Sequence, residues 1–199
     1  MGRPRQWTDK EILDVARTCF LEQGSSVSTV VIAERLNMSH GALFKRFGTK
    51  EELMIRALLR PQSHQWMDSL GDGPDERPIR EQLVEIAAKM SAFFELLTPA
   101  ITTLRSAGIS LDSMGDRHTV PRPVHGHQVM AGWFRQAQDQ GRIRRVDENA
   151  LAMIFVGGLR SRSFLRHITN NEYPASSIEE HARVLVDTLW AGMAPENER

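Results

Sequence analysis

The sequence predicts an all-α protein of about nine helices arranged in two domains, and three observations support this fold class. Apolar residues recur at intervals of three and four along most of the chain, as on one face of an amphipathic helix. Hydroxyl or acidic residues suited to capping helices precede many of these stretches. No segment alternates apolar and polar residues over the length of a strand.

The first helix is predicted to begin after Thr8, because Thr8 and Glu11 have the spacing of a capping box. One apolar stripe follows at helical spacing and consists of Ile12, Val15, Ala16, Cys19 and Phe20. Gly24 is expected to end this helix, since glycine readily adopts the positive φ of a helix C-cap.

The second and third helices are predicted to be short and closely connected. Ser28 can cap the second helix, and Asn37 tolerates the left-handed conformation that a tight turn after it would need. Ser39 can cap the third helix, which buries Leu43 and stops at Gly48.

Thr49 and Glu52 form a second capping-box pattern and open a fourth helix, which Pro61 is expected to bend or end. Residues 71–78 are predicted to form a turn-rich loop. Pro99 is expected to end a long helix and to start the next. The five helices predicted after this loop cover about residues 79–97, 100–107, 124–140, 147–168 and 177–194.

The net charge of zero conceals an asymmetry, because residues 1–50 carry eight basic and five acidic residues. A basic end on a neutral protein favours a polyanionic partner for that end. The single cysteine excludes an internal disulfide and fits a reducing compartment. The basic N-terminus lacks the apolar run of a signal peptide, and the longest apolar run, residues 150–159, is too short to span a bilayer, so we expect a cytoplasmic protein.

The order of helix, capped helix, short turn and short helix is that of a helix-turn-helix motif. The third helix must protrude to enter a DNA groove, so small residues on its outer side favour close approach of its backbone. The residues turned away from buried Leu43 are His40, Gly41, Phe44 and Lys45. The Ser39 hydroxyl beside a helix N-terminus would suit a phosphate.

The stretch from Thr8 to Leu53 resembles the DNA-binding region of the TetR/AcrR family of transcriptional regulators, in both order and spacing. It covers about the first quarter of the chain. The matching residues are Phe20, Gly24, Ser28, Ile32, Ala33, the turn Asn37-Met38-Ser39, the segment Gly41-Ala42-Leu43-Phe44-Lys45-Arg46-Phe47, and Thr49 to Leu53.

The resemblance implies a DNA-binding domain at residues 1–50 and a helical ligand-sensing and dimerisation domain at residues 51–199. It further implies a homodimeric repressor that a small apolar or amphipathic effector releases from a palindromic operator. An activator remains an alternative within the family. A helical protein-interaction adaptor with nonspecific affinity for DNA is an alternative outside it.

The resemblance also assigns roles to residues of the first domain. Ser28, Ser39 and Lys50 would contact phosphates. The residues that would approach base edges are His40, Gly41 and Ala42. Without the motif, the basic residues of this domain would be interpreted as an ordinary solvated face.

Four further residues are candidates for DNA contact. Phe44 replaces the usual tyrosine, so only an apolar contact remains there; it could instead lie in the core of a three-helix bundle, although its spacing from His40 favours exposure. Lys45 and Arg46 would contact phosphate or guanine. Arg3 and Arg5 could form a minor-groove arm, or only a disordered tail.

The predicted ligand-binding residues of the second domain are apolar, and ordinary core packing is the alternative for each of them. They are Met90, Phe94, Leu97, Leu104, Met130, Trp133, Phe134 and Phe155. The resemblance implies a dimer face on the last two helices, where two adjacent glycines suggest close helix approach. Its predicted residues are Gly157, Gly158, Ala182, Leu185 and Leu189, and packing within the chain is the alternative.

No motif indicates an enzyme: the sequence has no phosphate-binding glycine loop, nucleophile elbow or zinc-protease histidine pair. We therefore expect no catalytic residue and no cofactor. His118, His125 and His127 lie among prolines and glycines without the ligand spacing of a metal site, so they are interpreted as loop histidines. The expected partners are operator DNA, an effector and a second copy of the chain.

Overall fold

A computed structural model describes residues 7–59, 65–109 and 123–195. Over these ranges the chain forms nine helices and no strand, which confirms the predicted all-α class. The helices are α1 (Asp9–Gln23), α2 (Thr29–Arg35), α3 (His40–Phe47), α4 (Lys50–Leu58), α5 (Gln65–Asp68), α6 (Ile79–Ser106), α7 (Pro123–Asp139), α8 (Glu148–Ile168) and α9 (Ile178–Met193).

The helices pack into two compact units. The first unit comprises residues 1–61 and 99–120, and the second comprises residues 62–98 and 121–199. Packing therefore groups α4 with the first three helices, whereas the sequence suggested a functional boundary after residue 50. The assignment of DNA binding and ligand sensing to residues 1–50 and 51–199 stays a proposal.

Local capping fixes the start of α1 as predicted. The Thr8 hydroxyl accepts a hydrogen bond from the Glu11 N–H at 3.2 Å, and the Glu11 carboxylate accepts one from the Thr8 N–H at 2.8 Å. Both orphan donors of the first turn are thus satisfied. The helix then buries one apolar stripe, which begins at Ile12 and ends at Phe20.

The core of the first unit forms where α1 packs against α2 and α4 and where α3 packs against both of those. Its fully buried large side chains are Ile12, Phe20, Ile32, Leu36, Leu43, Leu53, Met54 and Leu104. Cys19 is also buried in this core, and burial raises the pKa of its thiol. Leu104, which was predicted to line a ligand cavity, packs in this core and not with the other predicted ligand residues.

The C-terminus of α4 is closed by a side chain of α1. The Arg17 guanidinium donates to the carbonyl of Leu58 at 2.7 Å, which satisfies an acceptor that the ending helix leaves open. The helix ends at Leu58, before Pro61, which lies outside the described residues.

Helix α6 continues through Pro99, so the prediction that Pro99 separates two helices is wrong. A proline ring removes one backbone donor and strains one turn, but the remaining hydrogen bonds of a 28-residue helix continue on both sides. The carbonyl of Pro99 still accepts a hydrogen bond from the Thr103 hydroxyl at 2.9 Å.

The second unit is built around the first part of α6 together with α7, α8 and α9. Aromatic and methionine side chains fill its core, and the Phe134 ring packs edge-on against the rings of Trp133 and Phe155, each with centroids 5.7 Å away. Such edge-to-face pairs favour one defined arrangement of the core.

A buried ion pair joins α6 and α8 within this unit. Arg162, whose side chain is 3% exposed, donates to the Glu95 carboxylate and to the carbonyl of Ser176. Beside it, the Ser163 hydroxyl donates to the carbonyl of Phe94 at 2.7 Å. These bonds satisfy polar groups that burial would otherwise penalise.

No helix within the described ranges is long and apolar enough to cross a membrane.

Candidate nucleic-acid interface

The turn between α2 and α3 determines how α3 is presented. Asn37 has a φ of +48°, the left-handed conformation that the sequence predicted. The next residue, Met38, donates its N–H to the carbonyl of Ala33 at 3.0 Å and closes the end of α2. Ser39 follows as the N-cap of α3, so the two helices are joined by a turn of only a few residues.

Helix α3 has a buried side and an exposed side. Leu43 and Phe47 are buried in the first unit, which fixes the rotation of the helix about its axis. The predicted DNA-contacting residues that lie exposed on or beside α3 are Ser39, His40, Gly41, Ala42, Lys45 and Arg46.

Two predicted phosphate ligands cap helices. The hydroxyl of Ser28 accepts the N–H of Val30, and the hydroxyl of Ser39 accepts the N–H of Ala42, each at 3.2 Å. Both serines are exposed. Because capping uses an oxygen lone pair, the hydroxyl protons can still be donated to an incoming phosphate.

The first turn of α3 carries little side-chain bulk. Gly41 and Ala42 are exposed, and a Cβ built on Gly41 would have no heavy atom within 4 Å. No neighbouring side chain among the described residues therefore covers this position. The backbone of the helix can approach another surface closely here.

The ring of His40 is held by its neighbours. Its Nε2 atom lies 2.9 Å from the Thr29 hydroxyl on α2, and its ring contacts that of Phe44 edge-on with centroids 4.5 Å apart. Phe44 is consequently half-buried, between the exposed and core positions that the sequence left open for it. Thr29 is not predictable as a site residue from the sequence, because only the fold brings it next to His40.

Most described arginines of this region already have partners within the unit. Arg46 pairs with Asp9 at 2.8 Å and donates to the carbonyl of Trp7 at 2.6 Å. Arg35 pairs with Glu22 at 3.1 Å. These bonds fasten helices to one another, so Arg46 would have to give up two contacts before it could reach DNA.

Lys45 and Lys50 differ from these arginines, since neither has an ion-pair partner among the described residues. Lys45 is exposed on α3, and Lys50 is half-exposed at the first position of α4. Two unneutralised ammonium groups at adjacent helices suit phosphate contacts. The candidate arm residues Arg3 and Arg5 lie outside the described residues.

The comparison with known families agrees with this geometry. Residues 12–57 match the family model described as bacterial regulatory proteins, tetR family. Over these residues the chain is similar to the TetR family, and the match extends from α1 to α4, the four helices that build the candidate interface. No curated protein is a significant sequence match to the chain.

Solved structures with this fold cover more than nine-tenths of the chain. SmeT, the repressor of the Stenotrophomonas maltophilia multidrug efflux pump SmeDEF, has a TM-score of 0.68 at 18% identity and covers 96% of this chain and 92% of its own. A TetR family transcriptional regulator from Pseudomonas syringae pv. tomato has a TM-score of 0.62 at 20% identity and covers 94% and 99%. The SmeT–triclosan complex has a TM-score of 0.64 at 19% identity and covers 93% and 90%. At these identities the likeness shows the fold.

The predicted ligand-lining residues of the chain mostly meet in one place. Leu104 lies in the first unit, as described above, and the others share the core of the second unit. Those buried there are Met90, Phe94, Met130, Trp133, Phe134 and Phe155, with Leu97 partly buried against them. Trp66, which the sequence analysis missed, joins this core, and its buried indole Nε1 has no hydrogen-bond partner among the described residues.

The predicted dimer residues divide between the interior and the surface. Ala182 is fully buried, and Leu185 and Leu189 pack partly buried on the core, so these three side chains serve packing within the chain. Gly158 does the same, because a Cβ there would lie 2.8 Å from a methyl carbon of Leu185. Gly157 is exposed, and a Cβ on it would have no heavy atom within 4 Å.

The structure also exposes large apolar residues on the same two helices that were not predicted, and Gly157 lies among them. We call this set the α8–α9 apolar face, and it consists of Met153, Ile154, Gly157, Phe164, Ile168 and Val184. Its large side chains are between 54% and 66% exposed, which is unusual for residues of this kind. On α8 they recur at helical spacing, a signal that the sequence already contained.

Two polar depressions lie on the second unit. One, of about 390 Å³, is lined by the loop before α6 and by Gln136 and Gln140; the other, of about 450 Å³, is lined by Trp190, Arg142 and neighbouring residues. Neither contains a predicted ligand residue. His125 and His127 lie in the first turns of α7, so their interpretation as loop residues is wrong. His118 is outside the described residues, and within them no group of three side chains could hold a metal ion.

Proposed function

We propose that the protein is a homodimeric repressor that binds a near-palindromic DNA operator and releases it when a small apolar or amphipathic effector binds. The observation that carries the proposal is the exposed outer side of α3, with its small residues, its capping serines and unneutralised Lys45 nearby. Such a helix can enter the major groove while flanking groups hold the phosphates.

The charge distribution supports this docking. In the described part of the first unit, ion pairs occupy Arg35 and Arg46, whereas Lys45 and Lys50 have no described partner. Each phosphate neutralised by a lysine releases condensed counterions, so binding should depend strongly on salt. The specific part of the affinity would come from groups on the first turn of α3.

The α8–α9 apolar face supports dimerisation with a second copy of the chain. Exposed apolar residues in one patch favour burial against a partner, and Gly157 would let the two copies approach closely at its centre. A dimer also meets the geometric need of a palindrome, because its two α3 helices must reach major grooves about 34 Å apart.

The core of the second unit supports effector binding. Methionine and aromatic side chains adapt to varied apolar ligands, and the unpartnered Trp66 indole offers one hydrogen-bond donor. A structural neighbour, SmeT, forms a complex with triclosan. An effector can release DNA only if it binds the unbound arrangement of the dimer more tightly than the DNA-bound one.

The test is fluorescence-anisotropy binding of the full chain to DNA upstream of its own gene and neighbouring genes, with scrambled DNA as control, over a salt series. We expect one near-palindromic segment to remain bound at salt concentrations that abolish scrambled binding. Equal, salt-labile binding to every duplex would contradict the proposal and favour the adaptor alternative.

A second assay decides whether the protein represses or activates transcription. A promoter reporter carrying the bound segment should give less transcript when the protein is present, and effector addition should restore it. More transcript in the presence of the protein would identify an activator instead. A repressor and an activator both act on chromosomal DNA, so in either case we expect the protein to work in the cytoplasm.

A further inference from the structure

The first residues of α2 and α3 are joined by one side-chain hydrogen bond. Thr29 and His40 are each the first residue of their helix, and the distance from Thr29 Oγ1 to His40 Nε2 is 2.9 Å. Thr29 is buried, with 7% of its surface exposed, whereas His40 is exposed. The bond therefore connects the interior of the helix-turn-helix to its outer surface.

Either atom of this pair can donate, according to the tautomer of the His40 ring. The burial of Thr29 favours the tautomer in which Nε2 accepts, because a buried hydroxyl rarely leaves its proton without an acceptor. In that tautomer the neutral ring carries its own proton on Nδ1. The Nδ1–H group points away from Thr29 and stays available as a donor.

The His40 ring is also restrained by an aromatic neighbour. The Phe44 ring, one turn further along α3, contacts the imidazole edge-on with centroids 4.5 Å apart and an interplanar angle of 66°. A hydrogen bond at Nε2 and an aromatic neighbour together leave the His40 side chain little rotational freedom. A donor fixed in this way loses little entropy when it binds.

We propose that Thr29 is a positioning residue for sequence readout: it holds the His40 ring so that Nδ1–H donates to an acceptor on a base edge in the major groove. The inference rests on the proposed function. Acceptors of the required kind are guanine N7 and O6, adenine N7 and thymine O4. Thr29 does not touch DNA and acts only through His40.

The test compares Thr29→Val, which keeps the shape of the side chain but removes the hydroxyl, with Thr29→Ser, which keeps the hydroxyl. The probe is the duplex that the wild-type full chain selects from a random DNA library. Loss of one positioned hydrogen bond should weaken binding of this duplex by T29V about three- to tenfold. T29S should bind as the wild type does.

A merely structural role for Thr29 would weaken binding to all duplexes alike, so base discrimination is the decisive readout. T29V should lose discrimination at one base pair in each half-site, while its affinity for scrambled DNA stays unchanged. A double-mutant cycle should show that T29V has no further effect once His40→Ala is present. Unchanged discrimination by T29V, or additive effects with H40A, would overturn the inference.

Two further outcomes separate this inference from the proposed function. If the wild type selects no sequence, the proposed function fails and the inference fails with it. If T29V does not fold, long-range ¹H–¹⁵N spectra of the wild-type imidazole decide the matter, since they distinguish the two neutral tautomers. A proton on Nδ1 supports the inference, and a proton on Nε2 overturns it.

Discussion

At the scale of single residues, the positive charges of the first unit divide into side chains with an ion-pair partner and side chains without one among the described residues. The pairs Arg46–Asp9 and Arg35–Glu22 fasten helices, while Lys45 has no partner among the described residues. The count of basic residues in the sequence could not make this distinction, because it depends on which side chains the fold brings within reach of a carboxylate.

Replacing Lys45 by Ala should weaken DNA binding about equally for all sequences and lower the slope of log affinity against log salt by about 1. The reason is the loss of one phosphate contact and of the counterion it releases. The measurement is anisotropy over a salt series with operator and scrambled DNA.

Arg35→Ala provides the matched control for K45A, since it removes one positive charge from the same unit at a residue paired with Glu22. Its salt slope should stay within error of the wild type. A K45A slope that also equals the wild-type slope would show that Lys45 contacts no phosphate.

Arg162→Met should lower the free energy of unfolding by about 2 kcal/mol, because it leaves the Glu95 carboxylate without its main partner. The cost should fall below that of a fully buried pair, since the Glu95 side chain is 32% exposed. Urea denaturation of the single variant and of R162M combined with Glu95→Leu is the measurement. The double variant should recover most of the loss, and failure to do so would place the effect in packing.

At the scale of secondary-structure elements, two adjacent glycines on α8 have opposite surroundings. Gly158 faces Leu185 of α9 so closely that a Cβ would lie 2.8 Å from its methyl carbon, and Gly157 faces open space. Both glycines were predicted to lie at a dimer face. The sequence does not distinguish them, because only the rotation of α8 in the core decides which one meets α9.

Gly158→Ala should have a free energy of unfolding about 1 kcal/mol lower than that of Gly157→Ala, because the end of the Leu185 side chain must move to admit the added methyl. Gly157→Ala removes a helix-weakening glycine at an uncrowded position and should leave the fold intact, with up to about 1 kcal/mol gained. Thermal and urea unfolding at matched protein concentration would compare the two. Equal destabilisation by both variants would contradict the described rotation of α8.

The segment before α6 should respond to acid. Arg77, which donates to Asp75 at 2.8 Å, holds the pKa of that carboxyl below its ordinary value, and Lys89 and Arg77 do the same for Glu85. A lowered folded-state pKa gives stabilisation that is complete above the ordinary carboxyl pKa of about 4 and lost as the pH falls through the folded-state value.

Asp75→Asn should therefore reduce stability at neutral pH and have progressively less effect below about pH 4. Urea unfolding of the variant and the wild type between neutral and acidic pH measures this difference. A difference that does not change with pH would show that the carboxylate charge contributes nothing to the stability of this segment.

Helix starts could be predicted well because the capping bonds are local. Thr8, Ser28, Ser39 and Thr49 each bond a backbone N–H within three residues. The continuation of α6 through Pro99 could not be predicted, since local rules favour a break there and only the packing of the whole helix opposes it. The site followed the same division: capping serines and exposed small residues were predictable, whereas the Thr29–His40 bond was not.

At the scale of the whole molecule, the proposed function requires more than one chain. A palindromic operator needs two copies of α3, and the α8–α9 apolar face offers a surface on which a second copy could dock. The dimer would have twice the 22.5 kDa of one chain. Its formal charge would remain zero, so DNA attraction must come from local positive charge on the first unit.

Replacing both Met153 and Phe164 by Asp should yield a folded monomer. Both native side chains are exposed, so the fold does not depend on them, and two carboxylates would make the α8–α9 apolar face too polar to bury against a second copy. Sedimentation equilibrium would report the mass, and helical circular dichroism would report the fold. Operator affinity should fall at least about tenfold, since the second half-site no longer binds intramolecularly. As control, the equally exposed Val124→Asp should stay dimeric, and a dimeric double variant would locate the interface elsewhere.

The burial of Cys19 has a practical consequence for spectroscopy. Because the only thiol of the chain is shielded in the core and its pKa is raised, it should react slowly with maleimide reagents at neutral pH. A cysteine introduced at exposed Glu51 on α4 would then be the single labelled site, with no need to replace Cys19. Two spin labels on a dimer would report the distance between its DNA-reading ends directly, with and without an effector.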